Sequence, residues 1–92
     1  MAITVFIPTP LRPYCGNQES LSIDTSGSVS SVFESITNQY PDLKKHLYDD
    51  KNELRKFVNI YLNDEDIRYQ DGVNSNVNDG DTLSIVPSIA GG

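Results

Sequence analysis

The fold is decided by SVSSVFESITNQYP, residues 28–41, the clearest amphipathic segment in the chain. Its apolar residues recur at helical spacing and share one face: Val29, Val32, Phe33, Ile36 and Tyr40. Ser28 is the predicted N-cap, while Ser31 and Glu34 offer an alternative capping box one turn later. Pro41 should end the helix at about Tyr40, because proline supplies no backbone N–H. The segment predicts one helix whose apolar face another element must cover.

Short strand-like runs on both sides of this helix supply that cover. They alternate apolar and polar residues at 3–7, 19–24, 57–62 and 82–86, and a short return strand is predicted at 67–69. Turns are predicted at 13–17, 63–66 and 78–81, one loose helical turn at 42–50, and a polar loop at 72–78. The simplest packing lays the helix across one face of a mixed sheet of four to five strands. This is an α+β fold with the β-grasp architecture.

The length of 92 residues suits a single domain. We expect residues 1–87 to form the β-grasp domain and residues 88–92 to form a flexible Gly-Gly tail. No apolar run approaches the ~20 residues of a membrane span, and the N-terminus lacks the features of a signal peptide. The expected location is therefore cytoplasmic, with no membrane partner.

The charge balance bears on the class of partner. Thirteen acidic and seven basic residues give a net charge of −6. A nucleic-acid-binding domain needs a basic footprint, so this balance argues against a nucleic-acid partner. An acidic surface favours solubility and steering toward partners with basic surfaces.

Side-chain catalysis finds little support in the sequence. Cys15 is the only cysteine and is interpreted as a tolerated loop residue, and His46 is interpreted as a solvated surface residue. One histidine and one cysteine cannot build a zinc site, so we predict no metal site. The acidic cluster at 64–66 lacks the twelve-residue calcium-loop pattern and reads as a turn.

The unusual feature is the end of the sequence, VPSIAGG at residues 86–92. One interpretation is a terminus without function, because a terminal Gly-Gly only frays. The other is chemical, since glycines let an extended tail pass through a narrow channel into another enzyme's nucleotide site. From Pro87 to Gly92 such a tail spans roughly 20 Å. Attack of the Gly92 carboxylate on ATP would give an acyl-adenylate, from which a sulfur nucleophile displaces AMP and leaves a thiocarboxylate.

The parity of the strands predicts a second functional feature. One set of side chains should face the helix: Val5, Ile7, Val58, Ile60, Leu83 and Ile85. The opposite, uncovered face then carries Phe6, Phe57, Tyr61 and Val86. An aromatic and apolar patch on central strands near the tail is a candidate docking surface. The alternative is that these are scattered surface apolar residues, which are common.

Three stretches give the chain a resemblance to the ubiquitin-like sulfur carrier proteins of the ThiS and MoaD type. They are IPTPLRP at 7–13, RKFVNIYLNDEDIR at 55–68, and DGDTLSIVP at 79–87 running into IAGG at 89–92. The resemblance covers the whole length. The second stretch, and the Leu-Arg-Pro that follows the first strand, are most similar to the carrier of the thiocarboxylate-dependent cysteine pathway. Ser88 departs from the small or apolar residue expected there.

The resemblance implies a protein co-substrate rather than an enzyme, with Gly92 and Gly91 at the reacting end. It implies that Pro87, Ile89 and Ala90 contact partners together with the sheet-face residues. The implied partners are an E1-like adenylating and sulfur-transferring enzyme, a PLP-dependent cysteine synthase and a JAMM-type metalloprotease. No cofactor is expected on the chain itself, since the activating enzyme consumes the ATP.

Other functions remain open at this stage. The small subunit of molybdopterin synthase and the thiamin sulfur carrier share the tail chemistry. A ubiquitin-like modifier conjugated to lysines would use the same activated Gly92, and an interaction domain would use the sheet face with an inert tail.

Overall fold

The strands are β1 (Ile3–Phe6), β2 (Ser20–Ile23), β3 (Gly27–Ser28), β4 (Val58–Leu62), β5 (Glu65–Asp66), β6 (Asn76–Val77) and β7 (Thr82–Pro87). A five-stranded mixed sheet in the order β2-β1-β7-β4-β5 forms the centre of the molecule. The computed structural model describes residues 2–25, 27–55 and 58–87. β1 and β7 are parallel, and the other neighbours in this sheet are antiparallel. A two-stranded sheet pairs β3 with β6.

Helix α1 (Val29–Gln39) lies where the apolar periodicity predicts it. Ser28 is its N-cap and accepts a hydrogen bond from the backbone N–H of Ser31 at 3.1 Å, so the alternative start at Ser31 is not used. The predicted apolar face is buried except at its last residue, Tyr40, which is half-buried. Strand residues meet this face in one core: Ile3, Val5, Ile7, Leu21, Ile23, Ile60, Leu62, Leu83 and Ile85. The predicted β-grasp arrangement is confirmed.

The predicted return strand at 67–69 is wrong. Pairing starts earlier, in β5, because Asn63 and Asp64 form a two-residue turn with φ of 50° and 72°. Ile67–Tyr69 is instead a 3₁₀ helix, capped by the Asp66 carboxylate on the backbone N–H of Arg68. Ile67 is thereby turned into the core.

The loose turn predicted at 42–50 is a regular helix, α2 (Pro41–Leu47). Pro41 ends α1 and also starts α2, because proline is pre-set for the first helical position. Asp42 in the first turn and basic residues in the last turn complement the helix dipole. Leu43 and Leu47 are buried in the core.

Two predicted connections contain more structure than the sequence indicated. The predicted turn at 13–17 is preceded and partly replaced by a 3₁₀ helix over Thr9–Cys15, and Gly16 and Asn17 then reverse the chain with φ of 66° and 60°. The predicted loop at 72–78 contains a 3₁₀ helix, Gly72–Asn74, and β6, whose Val77 is buried. Within the described part of the chain, no helix is long and apolar enough to cross a membrane.

Candidate functional site

Strand β7 carries the chain toward the predicted functional tail. It is a central strand, paired with β1 on one side and with β4 on the other. Its pairing with β4 continues to its last residue, where Pro87 lies opposite Val58. The tail therefore leaves from the middle of the sheet at a position fixed by backbone pairing.

The start of β7 is fixed by the turn that precedes it. The Asp81 carboxylate accepts hydrogen bonds from the backbone N–H of Asn78 at 2.9 Å and from the Asn63 side-chain amide at 3.0 Å. The Asn63 side-chain oxygen in turn accepts from the backbone N–H of Thr82 at 2.9 Å. These hydrogen bonds hold the pKa of Asp81 below its ordinary value. The acidic turn thus positions the strand that carries the tail.

Three of the predicted docking residues lie together on the face opposite the core. Phe6 and Tyr61 lie on either side of Ser84 in one row, about 10 Å apart at two strand spacings. Val86 follows two residues nearer the tail. Phe6 and Val86 are 49% and 42% exposed, and Tyr61 is half-buried. We call Phe6, Tyr61 and Val86 the sheet-face patch.

Several predicted site residues lie outside the part of the chain that the structure describes. They are Phe57 on the docking face, and Ile89, Ala90, Gly91 and Gly92 in the tail. Pro87, the last described residue, is exposed at the end of β7.

The opposite face of the sheet shows one departure from the parity prediction. Five of the six residues predicted to face the helix are buried, but Val58 is only half-buried. It lines a groove beside β4 together with Ile67 and Val73. Alternation gives the face of a residue but not how much of that face the helix covers.

Sequence reasoning missed the ion pair that closes β5. Asp66 is buried, and its carboxylate oxygen Oδ2 lies 2.6 Å from Nη2 of Arg68. The hydrogen bonds from Arg68 hold the pKa of Asp66 below its ordinary value, and the carboxylate raises the pKa of Arg68. The signal in the sequence that could have indicated this ion pair is the spacing Asp-x-Arg after a turn. The same spacing is typical of a 3₁₀ helix capped by the aspartate.

Cys15 is not the loop residue that the sequence predicted. It is fully buried at the end of the first 3₁₀ helix, and its Sγ contacts the Leu11 carbonyl at 3.4 Å. Burial raises the pKa of the Cys15 thiol, which keeps it protonated and unreactive.

His46 is not a solvated surface residue. Its ring stacks on Tyr14 with centroids 4.0 Å apart, and its Nε2 is shielded from solvent. Within the described residues Nε2 has no hydrogen-bond partner. The same described ranges contain no group of three His, Cys, Asp or Glu residues that could hold a metal ion.

These features, a fixed exit for the tail and an apolar sheet face beside it, are set within a fold shared with known proteins. The model of the ThiS family matches residues 5–92. The chain belongs to the ThiS family. The match includes both predicted functional features, the strand residues of the sheet-face patch and the Gly-Gly end.

The chain is similar to several known proteins and solved structures. The chain is 44% identical to the sulfur carrier protein CysO of Mycobacterium tuberculosis, over all of both chains. It is 31% identical to small archaeal modifier protein 3 of Haloferax volcanii, over 76% of this chain and 75% of that protein. A chain in the crystal structure of the BexX/CysO complex of Amycolatopsis orientalis superposes with a TM-score of 0.88 at 37% identity, covering 99% of this chain and all of that one.

This ThiS-family chain is therefore a small ubiquitin-like carrier rather than a catalyst.

Proposed function

We propose that the carboxylate of Gly92 is adenylated by an E1-like enzyme and converted to a thiocarboxylate that donates sulfur in cysteine biosynthesis. The observation that carries this proposal is a family match that extends through Gly92, together with full-length similarity to CysO. The fixed exit of β7 supports it, because a tail that must enter a partner's active site has to start from a defined position. The proposed reactions take place in the cytoplasm.

The two steps have simple chemical requirements. A carboxylate oxygen of Gly92 attacks the α-phosphate of ATP, and pyrophosphate leaves. A sulfide sulfur then attacks the acyl carbon, the bond to AMP breaks, and AMP leaves, which gives the thiocarboxylate. A carboxylate is a poor electrophile, so the mixed anhydride supplies the leaving group that the second step needs. None of these steps requires a catalytic side chain on the carrier.

The sheet-face patch is assigned to docking in the same proposal. Phe6 and Val86 expose nearly half of their surface on central strands, where exposed apolar side chains gain most from being covered by a partner. The implied partners are the E1-like enzyme, a PLP-dependent cysteine synthase and a JAMM-type protease that releases the product from Gly92. The similarity to a chain of the BexX/CysO complex supports assembly with a partner enzyme.

The test is mass spectrometry of the chain after incubation with ATP, a sulfur source and a purified E1-like enzyme. We expect one oxygen to be replaced by sulfur, localised to Gly92 by fragmentation and blocked by deletion of Gly92. Localisation is needed because oxidation of Met1 or Cys15 adds nearly the same mass. An unmodified tail, with an enzyme shown to be active on another carrier, would refute the proposal.

A second candidate function is protein modification, which the similarity to small archaeal modifier protein 3 supports. It uses the same activated Gly92 but transfers it to a lysine amine. Branched peptides in which Gly92 is joined to a lysine side chain of another protein, absent when Gly92 is deleted, would identify this route.

A further inference from the structure

An apolar groove of about 490 Å³ lies beside β4. Half of its described lining residues are aliphatic: Leu54, Val58, Ile60, Ile67 and Val73. The volume is in the range of ligand sites, but the groove is open along one side. Small-molecule sites enclose most of their ligand, so an open groove is better suited to a segment of another protein.

Two arginines border this apolar lining, and each is held in place through its Nε. Arg55 Nε donates to the backbone carbonyl of Lys45 at 3.0 Å. Arg68 Nε and Nη2 donate to the Asp66 carboxylate. A guanidinium has five N–H donors, so both side chains keep donors for another acceptor. Arg68 remains 68% exposed despite its ion pair.

The local charge indicates what the groove would accept. Among the lining residues that the structure describes, two carry a guanidinium group and one, Asp66, carries a carboxylate, which gives a positive excess among them in a chain of net charge −6. Carboxylates form bidentate pairs with arginine, and aliphatic walls favour an apolar side chain. The complementary segment carries an apolar side chain next to an acidic one.

The position of the groove connects it to the tail. Val58 lines the groove and also pairs with Pro87, the residue from which the tail departs. A protein that holds the tail therefore lies beside the groove.

We propose that this groove is a second docking site for the enzyme that activates the tail, and that it takes from that enzyme a segment with an apolar side chain beside a carboxylate. The assignment of the partner rests on the proposed function, whereas the chemistry of the groove does not.

The first test measures the groove alone by NMR titration of the isotope-labelled chain. The probes are the acetylated tetrapeptide amides Leu-Asp-Leu-Asp and Leu-Lys-Leu-Lys. Nonspecific attraction to an acidic protein would favour the lysine peptide. We expect the aspartate peptide to give saturable shifts at Val58, Ile67 and Val73, and the lysine peptide to give none. Equal binding of both peptides, or shifts confined to the sheet-face patch, would overturn the inference.

The second test measures affinity for the purified E1-like enzyme without ATP, so that no chemical step is required. Val73→Glu places a carboxylate in the groove at a position that is 38% exposed. Its matched control is Tyr69→Glu, at a residue that is 84% exposed and outside the described lining. We expect binding about tenfold weaker for Val73→Glu and unchanged for Tyr69→Glu. Arg55→Gln, with Lys51→Gln as the charge-matched control, repeats the comparison if Val73→Glu does not fold.

The outcomes separate this inference from the proposed function. In one outcome the wild-type chain is thiocarboxylated normally, while Val73→Glu and Arg55→Gln bind the enzyme as tightly as the wild type does. This outcome overturns the groove as a docking site and leaves the proposed function intact. A chain that is never thiocarboxylated, although its groove binds the aspartate peptide, overturns the proposed function and the assignment of the partner.

Discussion

The side-chain amide of Asn63 donates a hydrogen bond to the carboxylate of Asp81 over 3.0 Å, which joins two turns that are 18 residues apart in sequence. The first turn connects β4 to β5 and the second leads into β7. Asn63 also accepts from the backbone N–H of Thr82, so this pair sets where β7 begins. The point at which the chain leaves β7, at Pro87, is thus set in part from the opposite end of the strand.

We expect Asp81→Ala to destabilise the fold by about 1 kcal/mol, because two hydrogen bonds to a partly exposed carboxylate are lost. Urea unfolding measures the change. The matched control is Asp24→Ala, which removes an exposed carboxylate and should change the free energy of unfolding by much less. Equal effects of the two substitutions would contradict the assigned role of Asp81.

The ion pair of Asp66 with Arg68 predicts an acid-sensitive contribution to stability. The folded-state pKa of Asp66 is lowered by the hydrogen bonds from Arg68, while the unfolded chain has the ordinary value of about 4. The contribution is therefore complete above the unfolded-state pKa and is lost as pH falls through the folded-state pKa. Asp66→Asn should be less stable at neutral pH, and its stability should fall less steeply in acid.

Urea unfolding at a series of pH values below about 5 tests this slope. Asp24→Asn is the control, because the Asp24 side chain is exposed and the substitution removes the same charge. If Asp66→Asn loses stability in acid as steeply as the wild type, the ion pair has been assigned too large a role.

The sheet-face patch predicts a loss of partner binding without a loss of fold. The double substitution Phe6→Thr with Val86→Thr places β-branched residues, which suit strands, at both positions but removes the exposed apolar surface. We expect the KM of the E1-like enzyme for the carrier to rise about tenfold, with a stability change within about 1 kcal/mol. Tyr69→Thr serves as the control, because Tyr69 is 84% exposed and lies outside the sheet. An unchanged KM would show that this face is not used for docking.

Cys15 should be inert in the folded protein. Cys15 is fully buried, so a reagent cannot reach its thiol. Burial also raises the pKa of the thiol, which disfavours the reactive thiolate. A thiol-specific chromogenic reagent should react at the rate at which the protein unfolds, and at once after denaturation. Fast labelling under native conditions would show that this part of the core opens readily.

The sequence predicted the helix and the sheet well, because both depend on periodicities of apolar residues that can be read directly from the sequence. Val29, Val32, Phe33 and Ile36 recur at helical spacing, and all four are buried. The alternation in β1 and β7 likewise assigned Phe6 and Val86 to the open face. The short elements were missed because their stability comes from contacts made by other segments. β6 exists through pairing with β3, and β5 depends on the geometry of the Asn63-Asp64 turn.

Single side chains were the least predictable part of the candidate site. Cys15 and His46 lie in polar surroundings in the sequence, yet one is in the core and the other is stacked on Tyr14. Both depend on how the segment 9–15 packs against α2, a contact between parts of the chain that carry no shared pattern. Val58 shows the same limit, since its face was predicted but its coverage was not.

The sequence by itself determined the fold class, the membership of the ThiS family and the Gly-Gly end to which the proposed chemistry is assigned. The fold class depends on local periodicity. The family membership and the Gly-Gly end depend on the order of residues in the sequence, which needs no structure to be read. The tertiary structure decided that the start of β7 is held by Asn63 and Asp81, that Arg68 is held by Asp66, and that a groove bordered by two arginines opens beside the exit of the tail. Each of these requires segments distant in the chain to meet in space, and that meeting is set by packing and hydrogen bonding across the whole sheet.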